Sequence, residues 1–235
     1  MLDTGAFDVP RFLARLPLFC DLDPAEIQRL AAGCHFRRLD RGEMVFRVGE
    51  PCDYFYVVVT GQVKLSVISP GGQEKVIELI GPGASFAEAL VFLGRPCLVN
   101  AQVLGDSLLL SVARETIVTE IQRDGRLAMR MLAGLSRRLH GLVHDVQAYA
   151  LQNGVQRVIG YLLRDQDGQP PEEGPSGEAV TVSLPVSKAT VASRLSLTPE
   201  YFSRVLRELE EAGLIEVDKR DIRLLDPTRL AAYPG

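Results

Sequence analysis

The residues with the most specific chemistry lie between Val186 and Ala212. Glu200, Ser203, Arg204 and Arg207 are spaced i, i+3, i+4 and i+7, which places them on one face of a helix. On such a face an arginine can donate two hydrogen bonds to guanine O6 and N7, and a glutamate can accept one from cytosine N4. The other interpretation is an ordinary surface ion pair between Glu200 and Arg204, worth about 0.2–0.5 kcal/mol.

Two short helices with a tight connection are predicted to carry this face. Thr198 suits an N-cap, Pro199 the first helical position and Gly213 a helix stop, so the second helix is expected from Pro199 to Ala212. A first helix is expected from Ser187 to Leu195. This arrangement is typical of a helix-turn-helix, whose second helix enters the major groove of DNA. The residues expected to contact DNA are Lys188, Thr198, Glu200, Ser203, Arg204 and Arg207.

The flanking segments extend this region into a winged helix-turn-helix. Asn153 can cap a helix from Val155 to Arg164, and the segment from Val180 to Leu184 alternates as a strand. A hairpin is expected from Ile215 to Leu224. The segment from Asp165 to Glu178 is rich in proline, glycine and acidic residues, which predicts a loop.

A long helix is predicted from about Ile117 to Leu151. Its apolar residues recur with alternating spacings of three and four, the heptad pattern of two helices packed along one seam. The pattern favours a homodimer over a single amphipathic helix that lies on its own domain. The expected seam residues are Leu132, Leu135, Leu139, Leu142, Val146 and Tyr149.

Short alternating segments punctuated by glycine run from Cys34 to about Ala113 and predict a small β barrel or sandwich. A short helix precedes them, with Asp23 as its cap, Pro24 and Glu26 in its first turn, and Gly33 as its stop. The predicted strands are Met44–Phe46, Tyr54–Thr60, Gln62–Ile68, Lys75–Ile80, Val99–Val103 and Ser107–Val112.

Composition is that of a globular protein, with 46% apolar residues, 24% charged residues and a net charge of −4. The segment from Val186 to Arg207 has four basic residues and one acidic residue, a local charge of +3. The chain shows no membrane-spanning run and no secretory signal, so a cytoplasmic protein without membrane contact is expected. Four cysteines separated by 14, 18 and 45 positions are expected to be reduced thiols, and their spacing argues against an iron–sulfur cluster.

The order of β region, long helix and winged helix-turn-helix resembles the Crp/Fnr family of bacterial transcription regulators. The matching stretches are GQVKL and PGGQEKVIELI in the β region, LSRRLH in the long helix, and LSLTPEYFSRVLRELEEAGLI in the predicted helix-turn-helix. The resemblance implies an α+β fold: an N-terminal double-stranded β-helix (a β-roll) in residues 1–116, a dimerisation helix in 117–151, and a winged helix-turn-helix domain in 152–235. It further implies a regulator rather than an enzyme, with double-stranded DNA, RNA polymerase and a second copy of the chain as partners.

Within the family, Glu200, Ser203 and Arg204 resemble the Fnr subgroup, which reads palindromes of the type TTGAT-N4-ATCAA. The resemblance implies that Glu200 and Arg204 contact the C·G pair of each half-site and that Ser203 contacts a thymine. The cyclic-AMP receptor branch has arginine where this chain has Pro199, which argues against a TGTGA half-site.

The resemblance also bears on the effector. Glu88 matches the family glutamate that holds a ribose hydroxyl, but Leu98 and Val99 replace the Arg-Ser pair that clamps the cyclic phosphate. Leu142 and Val143 replace the Thr-Ser pair that receives the adenine. Cyclic AMP is therefore not expected, because its phosphate would lack a charge-assisted partner. An apolar pocket is expected instead, formed by Glu88, Leu90, Leu98, Val99, Leu142 and Val143.

The stretch SFAEALVFLG, together with LSRRLH, resembles the dissimilatory nitrate respiration regulators, which respond to nitric oxide through haem. Haem is thus the leading effector hypothesis, with His140 or Cys97 as iron ligand, and His144 and His35 as further candidates. Each also has an ordinary structural explanation, since the histidines can be solvated and Cys97 can be a small apolar filler.

Two other function classes remain as alternatives. A sensor that acts on a protein partner would use the C-terminal helices for docking and would protect no operator. An enzyme is not expected, because the sequence has no G-x-S-x-G and no phosphate-cradling glycine loop. His140 and His144, at i and i+4, could share a metal ion on one helix face.

Overall fold

The computed structural model of the chain describes residues 8–163 and 180–234. It has two compact units: unit 1 comprises Met1–Gly72 with Val76–Arg138, and unit 2 comprises Gln73–Lys75 with Leu139–Gly235. The division after Arg138 falls inside a helix, whereas the sequence placed boundaries at residues 116/117 and 151/152. The predicted loop from Asp165 to Glu178 lies outside the described residues.

Unit 1 begins with two helices, α1 (Val9–Leu13) and α2 (Pro24–Ala32). As predicted, Asp23 caps α2: its carboxylate accepts a hydrogen bond from the Glu26 amide at 2.8 Å, and the Glu26 carboxylate accepts one from the Asp23 amide at 2.7 Å. This reciprocal capping box satisfies two amides that the first helical turn would otherwise leave unpaired.

Eight strands form two four-stranded sheets, in the orders β1-β8-β3-β6 and β2-β7-β4-β5. All six strands predicted from the sequence are present, with each end within one residue of the expectation, and β1 and β6 are additional. A short helix, α3 (Glu88–Leu93), follows β6. The architecture confirms the predicted fold class. The strands are β1 (Cys34–Leu39), β2 (Met44–Phe46), β3 (Tyr54–Thr60), β4 (Val63–Ile68), β5 (Glu74–Ile80), β6 (Ser85–Phe86), β7 (Asn100–Val103) and β8 (Ser107–Ala113).

The core of unit 1 draws apolar side chains from both sheets. Phe46 of β2 lies with Tyr56 and Phe86 of the other sheet in an aromatic cluster, in which the Tyr56 and Phe86 ring centroids are 5.3 Å apart. Val63 and Val103 pair across β4 and β7 and are fully buried. Burial of side chains of this size contributes about 1.5–3 kcal/mol each, which makes this core the main source of stability for unit 1.

The predicted single helix from Ile117 to Leu151 is wrong in one respect, because the chain breaks it into α4 (Arg114–Arg123) and α5 (Arg126–Leu151). Asp124 is extended, with φ −146° and ψ 121°, and Gly125 follows it. The Asp124 carboxylate then accepts a hydrogen bond from the Arg126 amide at 2.9 Å. An acidic side chain at this position stabilises the positive end of the new helix, so the break is a helix restart.

Unit 2 carries the winged helix-turn-helix. Asn153 caps α6 as predicted, and the strands form a three-stranded antiparallel sheet in the order β10-β11-β9. The predicted hairpin is present as β10 and β11. The elements of unit 2 that follow α5 are α6 (Gly154–Leu162), β9 (Val180–Ser183), α7 (Lys188–Arg194), α8 (Pro199–Glu211), β10 (Ile215–Asp218), β11 (Asp221–Leu224) and α9 (Pro227–Ala231).

Over residues 8–163 and 180–234, no helix is both long enough and apolar enough to cross a membrane.

Candidate functional site

Helix α8 presents one buried face and one exposed face, as its sequence pattern predicts. We call the exposed set Glu200, Ser203, Arg204 and Arg207 the reader face. The buried set packs into the core of unit 2 and fixes the rotation of α8 about its own axis, so the reader face is held toward solvent. The buried residues are Phe202, Val205, Leu206 and Leu209.

The ends of the two helices are set by local hydrogen bonds. The Thr198 hydroxyl accepts a hydrogen bond from the Tyr201 amide at 3.2 Å, which confirms its predicted role as N-cap of α8. Gly213, with φ +67°, ends the helix in the left-handed conformation that glycine adopts without strain. Lys188 is the first residue of α7 and is half-buried.

Arg204 is held by a contact that the sequence pattern did not indicate. Its guanidinium carbon lies 4.7 Å from the centroid of the Tyr201 ring, a cation–π contact one turn along α8. The Tyr201 ring in turn lies against Gly154 of α6, where a Cβ atom would be only 2.4 Å from the tyrosine Cε1. The absent side chain at Gly154 therefore makes room for the ring that positions Arg204.

The connection between α7 and α8, Leu195–Thr198, is bound by a lysine from a distant part of unit 2. The ammonium of Lys75 lies 3.0 Å from the carbonyl oxygen of Ser193, 2.8 Å from that of Arg194 and 2.7 Å from the hydroxyl of Ser196. It also lies 4.4 Å from the centroid of the Tyr149 ring.

Arg157 of α6 binds the next two carbonyls of the same connection. Its guanidinium donates to the Leu195 carbonyl at 2.7 Å and to the Ser196 carbonyl at 3.4 Å. Cations suit these positions because the last carbonyls of a helix are unpaired and carry partial negative charge. Two cations from outside the motif thus hold four consecutive residues, namely the last two of α7 and the first two of the connection.

Arg194 does not belong to the reader face. Its guanidinium donates to the Asp145 carboxylate at 2.5 Å and to the Tyr149 hydroxyl at 2.8 Å, within unit 2. The local charge of +3 counted along the sequence therefore includes one arginine that is already neutralised by a carboxylate.

Unit 1 contains a separate cavity of about 560 Å³ along the first part of α5. Arg138 lines it: its guanidinium donates to Glu78 at 2.8 Å and to Glu88 at 3.2 Å, and it also donates to the Ser85 carbonyl at 3.3 Å. The Glu88 carboxylate accepts a further hydrogen bond from the Ser85 hydroxyl. Arg130 and Arg137 also line the cavity, which is therefore charged and rich in arginine.

The structure brings only part of the predicted apolar pocket to this cavity. Glu88 lines it, whereas Leu90 is buried in the core of unit 1 and Leu98 is exposed. Val99 packs partly buried against the core, and Leu142 and Val143 are exposed on the part of α5 that belongs to unit 2.

The candidate iron ligands do not line the cavity either. Cys97 is fully buried, and burial raises the pKa of its thiol, which disfavours the thiolate that binds iron. His140 and His144 are exposed on α5, and His35 is exposed on β1. Among the described residues that form the cavity wall there is no histidine or cysteine, so the residues present do not fit a ligated haem there. Over residues 8–163 and 180–234, no group of three or more His, Cys, Asp or Glu is arranged so that it could hold a metal ion.

The predicted seam of α5 is largely exposed. Leu132, Leu139 and Val146, spaced by seven residues, are 55%, 62% and 65% exposed, and Leu142 is 39% exposed. Two predicted seam residues are half-buried instead. Leu135 lines the cavity of unit 1, and the Tyr149 hydroxyl donates a hydrogen bond to the Arg194 carbonyl at 2.6 Å. The exposed stripe is thus Leu132, Leu139, Leu142 and Val146.

The sequence pattern missed Lys75, Arg157, Gly154 and Arg138. Lys75 and Arg138 lie in the stretches PGGQEKVIELI and LSRRLH, but those stretches do not indicate what the two side chains bind. The partners of all four residues lie far along the chain. The one available signal was Gly154 directly after the capping Asn153, which is a costly residue in a first helical turn unless a neighbour needs the space.

Comparison with known proteins agrees with this geometry. The cyclic nucleotide-binding domain family matches residues 36–124, and the Crp-like helix-turn-helix domain family matches residues 156–233. The cyclic AMP receptor protein of Thermus thermophilus is 29% identical over 217 residues, which is 89% of this chain and 95% of that protein.

Two solved structures extend the likeness over most of the chain. The structure of DNR from Pseudomonas aeruginosa is 35% identical, covers 95% of this chain and 96% of its own, and has a TM-score of 0.50. FixK2 from Bradyrhizobium japonicum has a TM-score of 0.74 at 23% identity, over 86% of this chain and 98% of its own, and shares the fold. The paired domains, in this order and over this length, show that the chain belongs to the Crp/Fnr family of ligand-responsive transcription regulators.

Proposed function

We propose that this regulator binds a palindromic operator of the TTGAT-N4-ATCAA type as a homodimer. The observation that carries the proposal is the reader face, in which Glu200, Ser203 and Arg204 are exposed together on the first two turns of α8. In a helix-turn-helix these turns are the ones that reach base edges.

Each side chain then has a distinct role. Arg204 donates to guanine and Glu200 accepts from cytosine at the C·G pair of each half-site, and Ser203 contacts a thymine. Arg207 lies one turn further along α8 and Lys188 lies at the start of α7, where both suit phosphate contacts that position the helix without reading sequence.

The exposed stripe on α5 supports the homodimer. Four large apolar side chains along one helix face are costly in water, and a second copy of the same helix would cover them in coiled-coil fashion. A dimer also supplies the two-fold symmetry that a palindrome requires. RNA polymerase is the second macromolecular partner, as in other regulators of this family. The Crp-like helix-turn-helix favours DNA over the alternative of a sensor that acts only on a protein partner.

We assign the effector to the charged cavity of unit 1. The ion pairs of Arg138 with Glu78 and Glu88 offer both donors and acceptors to a small polar molecule, and such a molecule would compete for them. Haem, implied by the resemblance to the nitrate respiration regulators, stays a prediction that the cavity lining does not favour.

Selection from random DNA with the full-length protein tests the operator. The wild type is expected to enrich TTGAT-type palindromes, and Arg204→Ala is expected to lose about 1–3 kcal/mol of discrimination per half-site, roughly 5- to 150-fold. Arg207→Ala is the matched control from the same helix, and it should weaken operator and scrambled DNA alike. Equal operator preference in wild type and Arg204→Ala would refute the assignment of Arg204.

A further inference from the structure

We propose that Lys75 is a positioning residue for DNA recognition: its ammonium binds the connection between α7 and α8 and so sets the angle of the reader helix. The proposal rests on the function proposed above and adds to it a residue outside the helix-turn-helix motif. Lys75 lies 118 residues before Ser193 in the sequence, and it belongs to unit 2 through the segment Gln73–Lys75.

The contacts of Lys75 converge on the point where the chain changes direction. Its ammonium lies 2.7–3.0 Å from the carbonyls of Ser193 and Arg194 and from the hydroxyl of Ser196, and 3.2 Å from the hydroxyl of Tyr149. The Ser193 hydroxyl also donates to the carbonyl of Glu74 at 2.9 Å, so the same short segment contributes a backbone contact. Charge-assisted hydrogen bonds of this length are about twice as strong as neutral ones.

Ser196 shows why the connection needs such support. It has φ +56°, in the left-handed region that suits glycine and that strains a residue with a side chain. Strained backbone of this kind persists only where the surroundings fix it, and here Lys75 bonds the Ser196 hydroxyl while Arg157 bonds the Ser196 carbonyl. Two residues later Thr198 caps α8, so a shift at Ser196 moves the start of the reader helix.

The surroundings of Lys75 in the folded protein disfavour its charged form. Asp145 of α5, Arg194 of α7 and Arg157 of α6 face it, together with the Tyr149 ring. Burial and then the positive charge of Arg194 lower the pKa of Lys75 to about 8.

An unfolded chain holds this proton up to about pH 10.4, so it binds more protons than the folded protein between about pH 8 and pH 10.4. The free energy of unfolding therefore rises with pH across this window, and at neutral pH the buried charge lowers stability. A cation retained despite that cost is typical of a functional position.

The experiment uses the full-length protein at pH 7 with Lys75→Met, Lys75→Arg and, as a charge-matched control on α7, Lys188→Met. The first readout needs no DNA: it is hydrogen exchange at the amides of Ser196 and Leu197, which bond to the carbonyls of Ser193 and Ala192. The second is the ratio of affinities for the operator that the wild type itself selects and for scrambled DNA.

Lys75→Met should speed exchange at both amides and lower the affinity ratio, each on the order of tenfold, and Lys75→Arg should recover most of both. Lys188→Met should weaken both DNAs equally and leave the two amides unchanged. Wild-type exchange and an unchanged ratio in Lys75→Met would overturn the proposal.

If Lys75→Met does not fold, a second variant replaces it. Ser196→Gly removes one acceptor of Lys75 without straining the backbone, and hydrogen exchange at the same two amides should then be intermediate in rate. An exchange rate equal to that of the wild type would count against the proposal. A wild type that selects no operator refutes the proposed function, whereas the exchange readout still decides the role of Lys75.

Discussion

A two-point ion pair between Arg29 and Glu120 joins α2 to α4 in unit 1. The guanidinium Nε and Nη2 each donate to the carboxylate at 2.8 Å, and Glu120 is buried while the Arg29 side chain is 39% exposed. The hydrogen bonds from Arg29 hold the pKa of Glu120 below its ordinary value. A carboxylate whose pKa is depressed by folding contributes stability above the pKa of the unfolded chain, about 4.3, and loses it as the pH falls through the folded value.

Glu120→Gln is therefore expected to lower the free energy of unfolding by about 1–2 kcal/mol at pH 7, the value of a hydrogen bond to a charged group that is partly exposed. The difference from wild type should shrink as the pH falls below about 4.3, where the unfolded carboxylate takes up its proton. Urea unfolding between pH 3 and pH 7 measures both. Glu115→Gln, an exposed change on the same helix, is the control. A difference that stays constant down to pH 3 would contradict this account.

For the reader face, the sequence predicted which side chains are exposed on α8. It did not predict which distant residues hold the helix in place. The spacing of Glu200, Ser203 and Arg204 placed them on one exposed face because helical periodicity is a local property. Lys75 lies more than a hundred residues away, and only the folded chain brings it to the connection. Long-range partners leave no periodic signal in a single sequence.

Among the elements of residues 8–163 and 180–234, helix α5 exposes the most large apolar side chains. Its exposed stripe includes Leu132, Leu139 and Val146, each one heptad apart. Leu135 and Tyr149 were expected in the same seam, but each is half-buried within its own unit. The seam that remains for a second copy is therefore narrower than the sequence pattern indicated.

Leu139→Glu is expected to convert the proposed homodimer into a monomer at micromolar concentration. The change removes one buried leucine from each protomer, about 1.5–3 kcal/mol apiece, which weakens association by roughly a hundred- to ten-thousand-fold. Sedimentation velocity measures the result. Gln147→Glu adds the same charge at an exposed position off the stripe and should leave the dimer intact. A sedimentation coefficient equal to that of the wild type in Leu139→Glu would exclude this stripe as the interface.

The features of secondary structure that the sequence pattern did not predict depend on contacts formed only in the folded chain. Strand β1 contains His35, Arg37 and Arg38 and lacks a clean alternation, because its structure depends on pairing with β8 some 70 residues later. The break at Asp124 and Gly125 lies inside an otherwise helical pattern, and the capping contact that favours it is visible only in the folded chain. Elements with strong local caps, such as α2, α6 and α8, were placed correctly.

For the whole molecule, the net charge of −4 makes the reader face a local exception on an acidic protein. Arg194 is paired with Asp145, and Arg207 lies 3.8 Å from Glu211, so less free positive charge faces solvent than the sequence count indicates. Binding to unrelated DNA should accordingly be weak at physiological salt, and discrimination between sequences must come from base contacts.

The β architecture of unit 1 was predictable from strand periodicity. The charge of its cavity was not, since Arg138 and Glu78 come from separate elements.

The effector hypotheses differ in what the whole protein should do with added haem. A haem needs an iron ligand, and the described wall of the cavity offers carboxylates and guanidinium groups in place of histidine or cysteine. Titration of the purified protein with haem is therefore expected to give no saturable one-to-one Soret band that shifts with nitric oxide or carbon monoxide. A gas-sensitive band that is lost in His140→Ala, His144→Ala, His35→Ala or Cys97→Ala would restore haem as the effector and name its ligand.

Without such a band, a small polar effector that binds the cavity should raise the melting temperature of the protein as its concentration rises. Arg138→Met should abolish that shift. Arg138 is the one cation in the described structure that bonds both cavity glutamates, Glu78 and Glu88.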